Sequence, residues 1–137
     1  MASQCPGSDT DCEMRTCTAG SCGTSLAPSG TTCDDDGGNV CNASGDCVGC
    51  NVAADCPGMD TECQMRTCNG ETCGFSNEPF GTVVTSQTEG DCQENVCDGT
   101  GGFTTVDDDT DLPDDTNQCT SDTCLLGNPT FTNEPAG

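Results

Sequence analysis

The side chains that could carry chemistry in this chain are cysteines and carboxylates. The 137 residues contain 16 Cys, 24 Asp and Glu, two Arg, and no His, Lys, Tyr or Trp. Cysteines can form disulfides or bind metals as thiolates, and carboxylates can bind calcium or act as an acid–base pair. A serine or cysteine nucleophile would therefore lack a His or Lys as its general base.

Paired carboxylates are the one catalytic chemistry that this composition leaves open. A carboxylic general acid works in an apolar pocket that raises its pKa. Leu, Val and Phe number only 15, and Ile is missing, so the chain has little material for such a pocket. We therefore expect no catalytic residues and a protein that is not an enzyme.

The acidic segment 107–115 is the candidate calcium site. Asp107, Asp109 and Asp111 have the 1, 3, 5 spacing of a calcium-binding loop, and Asp114 and Asp115 add two carboxylates. The rest of the loop pattern is missing, because a leucine stands at the required glycine position. The alternative is a solvated acidic loop that promotes solubility. Calcium is thus the one cofactor that the sequence proposes.

Disulfides are the favoured use of the cysteines, and thiolate metal binding is the alternative. Only Cys47 and Cys50 form a Cys-x2-Cys pair, and no second such pair completes a zinc site. The residues predicted to form disulfides are Cys5, Cys12, Cys17, Cys22, Cys33, Cys41, Cys47, Cys50, Cys56, Cys63, Cys68, Cys73, Cys92, Cys97, Cys119 and Cys124. Two closed sets of eight are the simplest arrangement, although Cys50 could join the second set or bridge the two.

A tandem repeat with an offset of 51 residues organises the chain. Residues 5–23 and 56–74 are identical at 12 of 19 positions. A partial third copy follows, because residues 116–124 keep the Cys-x4-Cys spacing and residues 133–137 repeat residues 77–81. We predict a first cysteine-rich module at 1–51 and a second at 52–137, which includes the Asp-rich extension and the partial third repeat.

The fold class predicted is small and disulfide-rich, with tandem modules of short β-hairpins and turns and little or no helix. Gly and Pro interrupt the chain too often for helices. Clusters of Val, Thr and Phe predict strands at 81–88, 103–107 and 130–133. Pro-x-Gly turns are expected at 28–30, 79–81 and 135–137.

Several side chains have equivalent places in the two repeats. We expect Arg15 and Arg66 each to pair with a carboxylate of its own module, such as Asp9 or Asp60. The methionines at 14 and 65 are expected in the module cores. The four phenylalanines, all in the second half, are expected to form a small core there rather than an exposed patch.

Three sequence segments resemble the cysteine-rich tandem repeats of large secreted proteins from myxobacteria and related bacteria. They are CPGMDTECQMRTC (56–68), GTVVTSQTEGDCQENVCDG (81–99) and DDDTDLPDDTNQCTSDTC (107–124). The cysteine spacing from Cys50 to Cys73 is also weakly similar to the dickkopf-type disulfide knot. The resemblance implies export, an extracellular or cell-surface setting and a serial array, and it implies no activity.

The predicted function is that of a secreted structural protein: an extracellular stalk, spacer, coat or filament subunit, with a mechanical or adhesion role. Its expected partners are neighbouring repeats or copies of itself. The alternative is an extracellular module that binds calcium, or a cell-surface protein or glycan. The formal charge of −22 argues against nucleic acid, and no apolar run is long enough for membrane insertion. Since no signal peptide precedes Cys5, Met1 is expected to begin a segment of an exported protein.

Overall fold

A computed structural model describes residues 1–135 of the chain. Its ten short strands pair into five two-stranded antiparallel hairpins, which confirms the predicted fold class. The strands are β1 Glu13–Thr18, β2 Ser21–Leu26, β3 Val40–Cys41, β4 Cys47–Val48, β5 Gln64–Asn69, β6 Thr72–Asn77, β7 Gln93–Cys97, β8 Phe103–Asp107, β9 Thr120–Leu125 and β10 Asn128–Asn133. The helices are single 3-10 turns at Ala2–Gln4, Asp35–Gly37 and Ala53–Asp55.

Two kinds of hairpin alternate along the chain. We call β1–β2, β5–β6 and β9–β10 the lead hairpins; each has two six-residue strands joined by two residues. We call β3–β4 and β7–β8 the following hairpins. Both turn residues of every lead hairpin have positive φ, namely Ala19 and Gly20, Gly70 and Glu71, and Leu126 and Gly127. Such a turn matches the right-handed twist of paired strands, so it supports a tight hairpin.

Cysteine forms most of the buried core. Among the described residues, eight of the eleven buried apolar ones are cysteines, and the other three are Val40, Val84 and Val96. A two-stranded hairpin is marginally stable by itself, because it has no second apolar layer to pack against. In this chain, disulfides take the place of that second layer.

The expected phenylalanine and methionine cores are wrong. The side chains of Phe75, Phe80, Phe103 and Phe131 are 48–71% exposed. Met14 and Met65 are 58% and 50% exposed. Cysteines occupy most of the buried positions, and these large side chains remain exposed.

The strand predictions succeed at the two later segments. Residues 103–107 are β8, and residues 130–133 lie within β10. The predicted strand at 81–88 is wrong, since only Val83 forms an isolated bridge, to Val96. The backbone N–H of Thr85 instead donates to Glu62, so it is not part of a strand ladder.

The first two predicted Pro-x-Gly turns are confirmed. The N–H of Thr31 donates to the carbonyl of Pro28 at 3.1 Å, and that of Thr82 to Pro79 at 3.2 Å. Turns at these places separate each lead hairpin from the following hairpin. The third predicted turn, at 135–137, extends beyond the described residues.

The described residues divide into two compact units. Unit 1 contains Met1–Asp60 and Arg66–Ser76, and unit 2 contains Thr61–Met65 and the described residues from Asn77 onward. The module boundary predicted after residue 51 follows the sequence repeat and lies inside unit 1. Across the described residues, no helix is both long and apolar enough to span a bilayer.

Candidate functional site

Each lead hairpin presents two cysteines in the same way. One stands immediately before the first strand, at Cys12, Cys63 and Cys119; the other is the fifth residue of that strand, at Cys17, Cys68 and Cys124. The carbonyl of each preceding cysteine accepts the N–H of the residue fifteen positions later, at 2.8–2.9 Å. The three hairpins are therefore equivalent frames for their cysteines.

Disulfides connect the lead hairpins to the following hairpins in both chain directions. Forward bonds run from the cysteine before the lead strand to the next following hairpin, as Cys12–Cys41 and Cys63–Cys97. Backward bonds run from the cysteine within the lead strand to the following hairpin that stands earlier in the chain, or to a residue next to that hairpin. They are Cys68–Cys50 and Cys124–Cys92. The Cα atoms of these four pairs lie 5.3–6.0 Å apart, a normal disulfide spacing.

Three further disulfides are local. Cys5–Cys22 and Cys56–Cys73 are repeat equivalents that attach the chain before a lead hairpin to its second strand. Cys33–Cys47 closes the first following hairpin. The third lead hairpin has Pro129 where the first two have Cys22 and Cys73, so it lacks this attachment.

Fourteen of the sixteen cysteines predicted to form disulfides are bonded in this structure. Cys17 and Cys119 are free and exposed. Cys17 occupies a backward-bonding position, and residues 1–137 contain no following hairpin before it. Cys119 occupies a forward-bonding position, and residues 120–135 contain no following hairpin. Of the two arrangements left open for the sets, the one with Cys50 bonded to the second copy is found, as Cys50–Cys68.

The two arginines hold equivalent loops, as predicted. The backbone N–H and Nε of Arg15 donate to Asp9 Oδ1 at 2.8 and 3.0 Å, and Nη1 donates to the Cys5 carbonyl at 2.9 Å. Arg66 donates in the same way to Asp60, at 2.8 and 3.1 Å. The side-chain hydrogen bond from Arg15 is the main cause that lowers the pKa of Asp9. For Asp60, the backbone N–H of Arg66 is the main cause of the lowered pKa.

Backbone N–H groups already occupy several oxygens of the predicted calcium site. Asp111 accepts from Gly90 at 2.9 Å and from Asp91 at 3.0 Å, and the bond from Gly90 contributes most to its lowered pKa. Asp114 and Asp115 each accept from the N–H two residues later. Within residues 1–135, no three of the five carboxylates converge within 4.8 Å. Calcium binding at residues 107, 109, 111, 114 and 115 stays a prediction.

A different carboxylate group, formed by Asp11 with Asp34 and Asp35, does converge. Asp11 Oδ2 accepts the N–H of Asp34 at 3.1 Å, and Asp35 Oδ2 accepts the N–H of Asp11 at 2.8 Å. The first contact recurs in unit 2, where Glu62 accepts the N–H of Thr85 at 2.6 Å. The 51-residue offset aligns these residues and is the signal that could have found them. The repetition indicates a structural contact between the lead hairpin and the chain after its turn.

Unit 2 contains an open cleft of about 500 Å³. Val84 and Phe103 line it, and strand register places them where the first repeat has Cys33 and Cys47. The cleft therefore lies where the first repeat has a disulfide. Glu62 is an ionisable residue in the described lining of the cleft, and it is already hydrogen-bonded to a threonine. This lining offers a small apolar surface.

The chain matches no family model, no curated protein and no solved structure. The resemblance to bacterial cysteine-rich repeats therefore stays a prediction. The described residues define a class by their own geometry: alternating hairpins with disulfides in both chain directions. The functional argument rests on that pattern.

Proposed function

We propose that this chain is a structural segment of an extracellular protein, in which disulfide-linked hairpins form a tandem array that serves as a stalk, spacer, coat or fibre. One observation carries the proposal. Both following hairpins are bonded to the lead hairpin before them and to the lead hairpin after them. Each addition of one lead and one following hairpin can extend such a chain of bonds.

The bonds suit a load-bearing role. Hydrogen bonds between two short strands can open under tension, whereas a disulfide keeps the residues that it encloses from extending. Seven disulfides enclose segments that together cover almost the whole interval from Cys5 to Cys124. A covalently limited length is the property that a stalk or spacer needs.

The chemistry also fits an oxidising compartment outside the cell. Structural disulfides persist there and are rare in the reducing cytosol. The charge of −22 keeps the surface hydrated and repels other acidic surfaces. The expected partners are neighbouring repeats or copies of the chain.

A second candidate is a module that binds a protein or glycan. The exposure of all four phenylalanines favours it, because exposed aromatic rings can contact a partner. Phe103 is 71% exposed at the cleft of unit 2. A Phe103→Ser variant that keeps the fold but loses retention by the cell envelope would favour this candidate.

The structural role is tested by pulling the oxidised chain from its two ends. The proposal requires a short maximal extension that increases only when a reductant is added. A chain that reaches full contour length without reductant would contradict the proposal.

A further inference from the structure

The two free thiols occupy positions that are bonded in the other lead hairpins. Cys17 is the equivalent of Cys68 and Cys124, and both of these make backward bonds. Cys119 is the equivalent of Cys12 and Cys63, and both make forward bonds. The two cysteines without a disulfide are thus the one at the backward-bonding position of the first lead hairpin and the one at the forward-bonding position of the last.

We propose that Cys17 and Cys119 are coupling cysteines, each of which forms a disulfide with a following hairpin that residues 1–137 do not contain. This inference rests on the proposed array and names its partner. Cys17 takes a cysteine at the Cys50 or Cys92 position of such a hairpin. Cys119 takes a cysteine at the Cys41 or Cys97 position.

The local structure around each thiol is already that of a bonded position. Cys17 pairs with Cys22 in the register of β1 and β2, and the whole hairpin is formed without its backward bond. The carbonyl of Cys119 accepts the N–H of Glu134 at 2.8 Å, as Cys12 does from Ala27 and Cys63 from Glu78. Both thiols are exposed and can be reached by a partner.

A second copy of this chain does not offer the right partner. Every cysteine of its two following hairpins is already bonded. It could offer only its own Cys17 or Cys119, and no disulfide in the structure joins two lead hairpins. The pattern therefore assigns the partner to a further following hairpin.

The coupling step is a two-electron oxidation. The two thiols lose two protons and two electrons as their S–S bond forms. A low-molecular-weight disulfide such as oxidised glutathione accepts both, and its own S–S bond breaks to give two thiols.

The sequence register allows a direct test. Gly137 aligns with Gly30, so a copy of residues 31–48 appended after Gly137 continues the repeat and supplies a copied Cys41. The fused chain is refolded with reduced and oxidised glutathione, alkylated and mapped by peptide mass spectrometry. We expect the number of free thiols to fall from two to one, with Cys119 bonded to the copied Cys41.

A matched fusion carries serine at the copied Cys41 position. In this control, Cys119 should remain open to alkylation and the free-thiol count should stay at two. A second fusion places a copy of residues 31–51, with its own Cys41 replaced by serine, before Met1. There the copied Cys50 should bond Cys17.

Two outcomes would overturn the inference. In one, Cys119 stays free, or bonds any cysteine other than the copied Cys41, while the seven original disulfides are intact. In the other, the unfused chain forms dimers through Cys17 or Cys119. Because the seven original bonds are mapped in the same digest, misfolding of the host is recognised separately. Failure of the mechanical test with a correct Cys119 bond would refute the proposed function alone.

Discussion

Reduction should lengthen this chain under tension by a calculable amount. Between residues 5 and 124 the polypeptide has 119 backbone steps, which reach about 400 Å when fully extended. With the disulfides intact, the taut path alternates between stretches of backbone and disulfide crossings. It follows the backbone from residue 5 to 12, from 41 to 50, from 68 to 63 and from 97 to 92. It crosses disulfides from 12 to 41, from 50 to 68, from 63 to 97 and from 92 to 124.

That path contains about 26 backbone steps and four disulfide crossings. At about 3.4 Å a step, and with crossings of 5.3–6.0 Å, its length is about 110 Å. Complete reduction should therefore add about 300 Å to the maximal extension. The assay is single-molecule pulling through peptide tags at the two ends, before and after addition of a phosphine reductant.

Two paired variants sharpen the assay. Replacement of Cys63 and Cys97 by serine removes a bond on the taut path, and about 14 further backbone steps should add about 40 Å. Replacement of Cys33 and Cys47 removes a bond that this path does not need, so the extension should not change. Equal lengthening in both variants, or an oxidised wild-type chain that extends to about 400 Å, would refute the reasoning.

Three other predictions follow from the repeat geometry. Val84→Cys with Phe103→Cys should form an eighth disulfide, detected by intact mass, and stabilise the chain by about 3 kcal/mol. Only the thiols of Cys17 and Cys119 should then be free, and four free thiols would contradict the register. Because the folded-state pKa of Asp60 lies below its ordinary 3.8, its hydrogen bonds stabilise the fold above that pH and are lost as the pH falls below it. Asp60→Asn should lower Tm at neutral pH and flatten its acid dependence; an unchanged pH profile would count against this contact. Calcium binding at 107–115 predicts a rise in Tm that an equal concentration of magnesium does not give and that Asp111→Asn removes; an equal effect of the two ions would contradict it.

Composition and repetition were sufficient to predict the kind of fold. A chain with 16 cysteines and few large apolar residues must rely on cross-links. The 51-residue offset also predicted the equivalence of Arg15 and Arg66, which the structure confirms. Both features depend on residue type and sequence spacing alone.

The bonding pattern could not be predicted, because it depends on how the hairpins meet in space. Cys50 lies near the end of one repeat, yet it bonds to Cys68 of the next. One clue was present: by the repeat offset, the equivalent of Cys50 would stand before Met1, which leaves Cys17 without its partner. The two-residue turns of the lead hairpins were another sequence signal, in this case for the hairpins themselves, that the sequence analysis did not use.

The errors in the core have a common physical cause. Phenylalanine was expected inside because burial of its ring is normally favourable. Here the hairpins have two strands, and the disulfides between them occupy the interior. Val84, next to the Cys63–Cys97 pair, shows the size of side chain that fits.

The central claim is that sulfur–sulfur bonds maintain the fold. Each closes a loop of 14–34 residues, which corresponds to about 3–4 kcal/mol for a single bond by the chain-entropy account, a large part of a typical domain stability of about 5–15 kcal/mol. The most direct measurement is the amide NMR spectrum at neutral pH before and after reduction, since the chain has no Trp or Tyr for fluorescence. We predict that the dispersed β-sheet resonances collapse to random-coil positions on reduction. A fully reduced chain that keeps its dispersion and melts cooperatively would contradict the account.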